Sequence, residues 1–387
     1  MANEILVYVG TYTEPILFGT GKVLQGKGEG IYVYRMDQSS GALERVGKTI
    51  GVANPSYLAL DSAQRFLYAV NELKTYEDKP TGTISAFAVD PKTGALQFLN
   101  KRLTHGTDPC HVAVDKKGSY VFVANFMSGS ICVLPVLEDG SLGEASDFIQ
   151  HQGSGIDPFR QRGPHAHSVT LDKANRFAFV PDLGLDRLMV YRFDPRRGML
   201  EANDPPWIKV KPGAGPRHLA FHPNGRVAFL INELDSTLAV LSYDGRKGTF
   251  KGLQTVSTLP EGFRGESTCA DVQVSPSGTF VYGSNRGHDS IVIYRIDQRA
   301  GRLAFVGHES ARGKTPRSFG IDPSGRFLLA ANQDSDTIVT FRIDPQTGRA
   351  LPTGFVTEVP TPVCVKFLLR SGGVSDARGN REKKGGK

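Results

Sequence analysis

The chain has 387 residues, 39% of them hydrophobic and 22% charged, with a formal net charge of +7. That balance describes a globular protein and excludes a disordered or collagen-like chain. No run of about 18 apolar residues exists, which excludes a helical membrane span, and residues 1–9 lack the basic segment and long apolar run of a secretory signal.

The first predicted element is a strand over residues 5–13, ILVYVGTYT. At 30–46, GIYVYRMDQSSGALERV reads as an alternating strand, a turn and another strand. A different unit follows at 55–72: PSYLALDSAQRFLYAVNE is a strand, a tight turn and a second strand ending at Asn71 and Glu72. The two units then alternate. The Asn-ending unit recurs at 109–126, 166–183, 216–233, 269–286 and 316–333, and the other at 83–99, 130–145, 187–202, 237–253, 290–306 and 337–353. In the first unit a turn residue (Asp61, Asp115, Asp172, His222, Ser275, Asp322) always precedes the closing Asn or Asp (Asn71, Asn125, Asp182, Asn232, Asn285, Asn332) by ten positions. In the second, Asp-x-x-x-Gly reads as a hairpin connection. Four antiparallel strands, A to D, repeating about every 50 residues make a propeller blade.

The last predicted strand, TPVCVKF at 361–367, matches a strand A with no B after it. Residues 5–13 match a strand B with no A before it. The ends are complementary, so the prediction is an all-β, seven-bladed β-propeller closed by pairing its N-terminal and C-terminal strands, rather than an open solenoid or a sandwich. It occupies residues 1–370. Residues 371–387 form a Gly-rich tail with Arg378, Arg381, Lys383, Lys384 and Lys387 against Asp376 and Glu382, predicted to be disordered. With much of the excess charge there, the body is only mildly basic, and no nucleic-acid or membrane partner is expected. Cys110, Cys132, Cys269 and Cys364 are widely spaced without a CxxC, which suits free thiols in a reducing compartment better than a zinc site or disulfides.

In such a fold the start of strand A and the end of strand B meet at one mouth of the central channel. The two rings read Ser56, Cys110, His167, Arg217, Ala270, Arg317, Val363, and Tyr12, Glu72, Phe126, Leu183, Glu233, Arg286, Gln333. A residue that the blade needs recurs in every blade; these positions do not recur and are free to serve a site. His167, Arg217 with Glu233, and Arg286 lie in three consecutive repeats, and Arg317 and Gln333 follow in the next. The set fits an anionic ligand and acid–base chemistry, or else channel-lining ion pairs. His165 suits equally a place flanking the ligand and that of an ordinary loop histidine. By strand alternation His111 and His218 are expected to turn toward the neighbouring sheet as packing residues. Arg160 and Arg162 lie in a long loop that either folds over an anion or is solvated.

At these residues the sequence resembles the lactonase family of seven-bladed propellers, which holds the propeller-type 6-phosphogluconolactonases and the fungal 3-carboxy-cis,cis-muconate lactonizing enzymes. The stretches GPRHLAFHPNGRVAFLINELDSTLAV (215–240), PHAHSV (164–169), GSNRGHDSIVIYRID (283–297) and TPRSFGIDPSGRFLLAANQ (315–333) carry it. The resemblance implies catalytic roles for His167, Arg217, Glu233 and Arg286, with His165 replacing His167 if that strand starts earlier; by position around the mouth, His165, Arg317 and Gln333 are expected to bind substrate. It implies the opening of a small anionic lactone; the free thiols suit the cytoplasm, no metal-ligand spacing appears and no cofactor is expected, and a monomer or small homo-oligomer is expected. The expected substrate is 6-phosphoglucono-δ-lactone, in the pentose phosphate pathway. A muconate cycloisomerase remains the alternative, since arginines suit carboxylates as well as phosphate. A non-catalytic propeller binding a protein partner is a third reading, disfavoured by the His–Arg–Glu–Arg cluster, since protein-binding faces usually show aromatic anchors and the single tryptophan, Trp207, lies outside the rings.

Overall fold

The structure, a computed structural model, describes residues 4–370. Among them, seven four-stranded antiparallel sheets form the blades, beside one small hairpin of Ile16–Leu17 and Val23–Leu24. Six blades take their strands consecutively, starting with Leu58–Leu60, Pro109–Val114, Thr170–Leu171, Pro216–Phe221, Thr268–Val274 and Pro316–Ile321; we number them 1 to 6. Blade 7 is composite, in the order Pro362–Arg370, Glu4–Thr11, Gly30–Met36, Leu43–Ile50. Glu4 pairs with Arg370, and the register runs to Thr11 opposite Pro362. The ring therefore closes as the complementary ends predict, and neither terminal strand leaves an open edge toward the other. The tail 371–387 lies outside the described residues.

The cores lie between blades. Tyr68 and Val70 of blade 1 pack with Val121 and Val123 of blade 2, and each further junction repeats the arrangement. An inner strand such as Phe66–Asn71 is buried on both faces, whereas the outermost strand Leu43–Ile50 is mostly exposed. Polar repeat residues serve the backbone. Asp61 Oδ1 accepts from the N–H groups of Arg65 (2.7 Å) and Phe66 (2.8 Å), and Asp172 does the same for Arg176 (2.6 Å) and Phe177 (3.0 Å). The closing Asn ties its blade to the segment entering it: Asn71 Nδ2 donates to Ala53 O (2.8 Å), Asn285 Nδ2 to Thr258 O (2.8 Å) and Asn332 Nδ2 to Ala311 O (2.9 Å). Blade 3 has Asp182 instead, and there the buried His151 bridges the carboxylate (2.6 Å) and the Tyr191 hydroxyl (2.9 Å). Gly94, at φ 74°, closes a strand C–D turn. A Cβ there would meet Leu6 Cδ1 at 2.1 Å, and its carbonyl accepts from the Tyr8 hydroxyl of blade 7 (2.7 Å).

One local feature departs from simple alternation. The register of strand A slips just inside the channel mouth, between Pro109 and His111, Pro216 and His218, Cys269 and Val272, and Pro316 and Ser318. Such bulges re-aim side chains. His111 and His218 consequently point into the channel, not toward the neighbouring sheet. The His218 ring meets Tyr57 of blade 1 (6.0 Å), His111 of blade 2 (5.5 Å) and His167 of blade 3 (5.4 Å). Side chains from four blades converge only near the axis. Both histidines are satisfied there: His218 Nδ1 bonds Asp271 (3.0 Å), and His111 Nδ1 accepts from Val169 N–H (3.3 Å).

Candidate active site

The two rings expected at the channel mouth do surround a cavity of about 290 Å³, near the lower end of small-molecule sites. Cys110, His167 and Arg317 of the first ring line it, with Glu72, Phe126, Glu233, Arg286 and Gln333 of the second. The loop carrying the Ile16–Leu17 hairpin adds Phe18 and Lys22.

Glu233 is the hub. Its carboxylate is 4% exposed and meets three guanidiniums: Arg160 Nη2 at 2.6 Å, Arg286 Nη2 at 2.8 Å and Arg217 Nε at 3.0 Å. Burial alone would raise its pKa, but Arg286, Arg160 and Arg217 outweigh burial and hold it well below the usual carboxylate range. The Arg217–Glu233 pair joins the start of strand A to the end of strand B in one blade. Arg286 arrives from the next blade and anchors to Cys269 O (2.7 Å) while its Nε stays buried without a partner. Burial brings its pKa down to about 10, so it remains a cation. Arg160, whose loop the sequence leaves open between an anion and solvent, is folded over the site by a turn in which the Asp157 carboxylate accepts from its N–H (2.9 Å).

Arg217 lies deeper than the other site residues. It lines the narrow space beneath the cavity with Ser56, Tyr57 and His218, and not the cavity itself. Its Nη1 donates to Ala270 O (2.5 Å) and contacts His218 Nε2 (3.2 Å). Arginine only donates, so His218 Nε2 must carry the lone pair, and Nδ1–H then points at Asp271. The chain Asp271–His218–Arg217–Glu233 thus fixes the floor of the site from just beneath it in the channel.

Of the two histidines in PHAHSV, His167 lines the cavity and His165 does not. His165 stacks on Phe126 at 4.6 Å, with its Nδ1 bonded to Phe126 O (2.9 Å). His167 is buried, and burial followed by the charge of Arg217 keeps its pKa well below the ordinary histidine value. It is a neutral base. Its Nδ1 lies 3.7 Å from Cys110 Sγ, but burial and then Glu72 push that thiol up, so the pair holds no thiolate.

Arg317 differs from the other arginines. Its guanidinium stacks over Phe18 (4.9 Å) and Tyr12 (5.4 Å) and forms no ion pair with the described residues. Gln333, beside it, has an unpartnered buried Oε1. Two acidic residues complete the wall. Glu72 accepts from the Tyr12 hydroxyl (3.0 Å), and burial raises its pKa despite Arg317. Asp108, which no repeat comparison marked because it sits before the aligned unit, also lines the cavity. Among the described residues no cluster of three or more His, Cys, Asp or Glu is arranged to hold a metal ion.

Comparison with known proteins agrees with this picture. Residues 6–367 match the family model described as "Lactonase, 7-bladed beta-propeller". A 6-phosphogluconolactonase of Bacillus subtilis is 37% identical over 95% of this chain and 99% of its own length. Another, from Formosa agariphila, is 36% identical over 82% of this chain and 86% of its own. The solved periplasmic gluconolactonase of Pseudomonas aeruginosa superposes with a TM-score of 0.88 at 36% identity, covering 96% of this chain and 100% of that one.

Proposed function

From the premise that the chain belongs to the lactonase family of seven-bladed β-propellers and is a sugar lactonase, we propose that it hydrolyses 6-phosphoglucono-δ-lactone to 6-phosphogluconate, as a step of the pentose phosphate pathway. The observation that carries this reading is the meeting of a neutral His167 and an unpaired Arg317 in a cavity whose other arginines are held rigidly by Glu233.

Lactone opening needs an activated water, a stabilised oxyanion and a proton for the leaving alcohol. His167, neutral because it is buried, takes the proton of the attacking water. Arg317, which makes no close ion pair with a protein carboxylate among the described residues, binds the substrate phosphate; Lys22 stands at the same wall. Arg286, with its Nε unpartnered, stabilises the oxyanion. Glu233 is ionised and cannot donate a proton; it fixes the guanidiniums, with Arg217 supporting it from below. Such pre-set charges need no reorganisation during the reaction. Glu72 and Asp108 suit the hydroxyls of a sugar ring, which accords with a sugar lactone. Four unpaired cysteines accord with work in a reducing compartment.

The test is acid release in a pH-stat. Protein mixed with 6-phosphoglucono-δ-lactone should release acid far above the spontaneous rate, and faster than with unphosphorylated glucono-δ-lactone. A rate equal to the spontaneous one on both lactones refutes the reading.

A further inference from the structure

Asp108 ends the loop before strand A of blade 2, at φ 51°. Its N–H donates to Leu73 O and its carbonyl accepts from Phe126 N–H, both at 2.9 Å. Asp and Asn tolerate this left-handed conformation, so the turn alone accounts for either of them. It does not account for the position of the carboxyl. The residue is 3% exposed, lines the cavity beside Cys110 and Phe126, and its Oδ1 is buried with no hydrogen-bond partner. An unpartnered buried carboxylate is costly, and a neutral carboxyl much less so.

The groups around it point the same way. Glu72, on the adjacent blade, opposes a second negative charge; Lys74, just beyond it, favours one; Cys110, on the same strand, stays a neutral thiol. Burial and then Glu72 prevail over Lys74 and push the Asp108 carboxyl up to about 7. The cavity thus holds a carboxyl that keeps its proton up to about neutral pH and an imidazole that has none. Paired groups of opposite protonation are what acid–base catalysis uses.

We propose that Asp108 is the proton donor of this site, protonating the ring oxygen as the lactone opens. The inference rests on the lactonase reading above. Water oxygen bonds to the carbonyl carbon while His167 accepts the water proton. The tetrahedral intermediate then collapses: the bond from that carbon to the ring oxygen breaks, and the ring oxygen takes the Asp108 proton. The Asp108 carboxylate regains a proton from the His167 imidazolium, so one water is consumed and the site is restored.

Asp108→Asn keeps the turn and the shape but has no proton to transfer. On 6-phosphoglucono-δ-lactone, kcat should fall about 100-fold or more with KM little changed. The alkaline limb of the wild-type pH profile, near the carboxyl's value of about 7, should vanish. On dihydrocoumarin, whose phenoxide leaves without help, variant and wild type should act at similar rates. A merely structural role would depress both substrates equally. That equal loss, or a variant with wild-type kcat and an intact alkaline limb, overturns the proposal. A wild type inactive on every lactone sinks the lactonase reading instead. The infrared difference between wild type and variant then decides on Asp108 alone: a protonated carboxyl band present at pH 6 and gone at pH 9 is required, and its absence ends the proposal.

Discussion

Glu233→Gln keeps the volume of the side chain and removes its charge. In the native site the carboxylate receives three guanidiniums at 2.6, 2.8 and 3.0 Å. Without it, Arg217 retains Ala270 O and His218 Nε2 as anchors, and Arg286 the carbonyl of Cys269. Removing one member of a buried ion pair costs about 3–5 kcal/mol, because the partner charge stays buried. The Arg160 and Arg286 side chains are each 15% exposed, so water offsets part of the loss, and the lower end of that range, ~3 kcal/mol, is expected. The pH dependence has a defined sign. The Glu233 pKa is depressed in the folded state, so its contribution is fully present above the ordinary glutamate value of 4.5 and is lost as pH falls through the lower folded value. Wild type and variant should therefore differ by a constant amount from pH 8 to pH 5 and converge below that. Urea unfolding at several pH values measures the gap. Inorganic phosphate, by neutralising the freed guanidiniums, should raise the melting temperature of the variant more than that of the wild type. A variant within about 0.5 kcal/mol of wild type at pH 7, which is the spread of ordinary surface substitutions, refutes the hub.

The other predictions concern single residues and the closure. Arg217→Lys keeps a charge but cannot reach Glu233 and Ala270 O together; because Arg217 lies below the cavity, kcat should drop about 5- to 150-fold, as for losing one charge-assisted bond, with KM nearly unchanged in steady-state assays. Arg317→Met should raise KM for the phosphorylated lactone about 10-fold or more while costing less melting temperature than Glu233→Gln, since the guanidinium makes no close ion pair and acts on Glu72 and Glu233 only at longer range; a melting loss larger than that of Glu233→Gln with unchanged KM contradicts its assignment. Asp108→Asn should melt higher than wild type at pH 8 and not at pH 4: the folded pKa is raised, so wild type loses stability as pH rises toward about 7. Ending the chain after Gly354 removes Pro362–Arg370, the inner strand of blade 7, and should abolish cooperative unfolding by calorimetry; a truncated protein that melts like the full chain disproves closure.

The blade count and the closure were legible in the chain because both are periodic. A four-stranded unit that recurs with a fixed ten-residue interval leaves little freedom of register, and the unmatched ends at 5–13 and 361–367 have only each other to pair with. The ring positions followed from the same periodicity, which is how His167, Glu233, Arg286, Arg317 and Gln333 emerge as neighbours at one mouth. What the repeat does not encode, tertiary packing decided. Arg160 comes from a loop without period, and nothing in its sequence distinguishes a strap over Glu233 from a solvated turn. The bulges inside strand A turned His111 and His218 into the channel, because one extra residue reverses the face that alternation assigns. His165 and His167 lie two positions apart, yet only packing against Phe126 withdrew the first from the cavity. Asp108 carries its significance in what surrounds it, since burial beside Glu72, and not its place in the sequence, determines that its carboxyl keeps a proton.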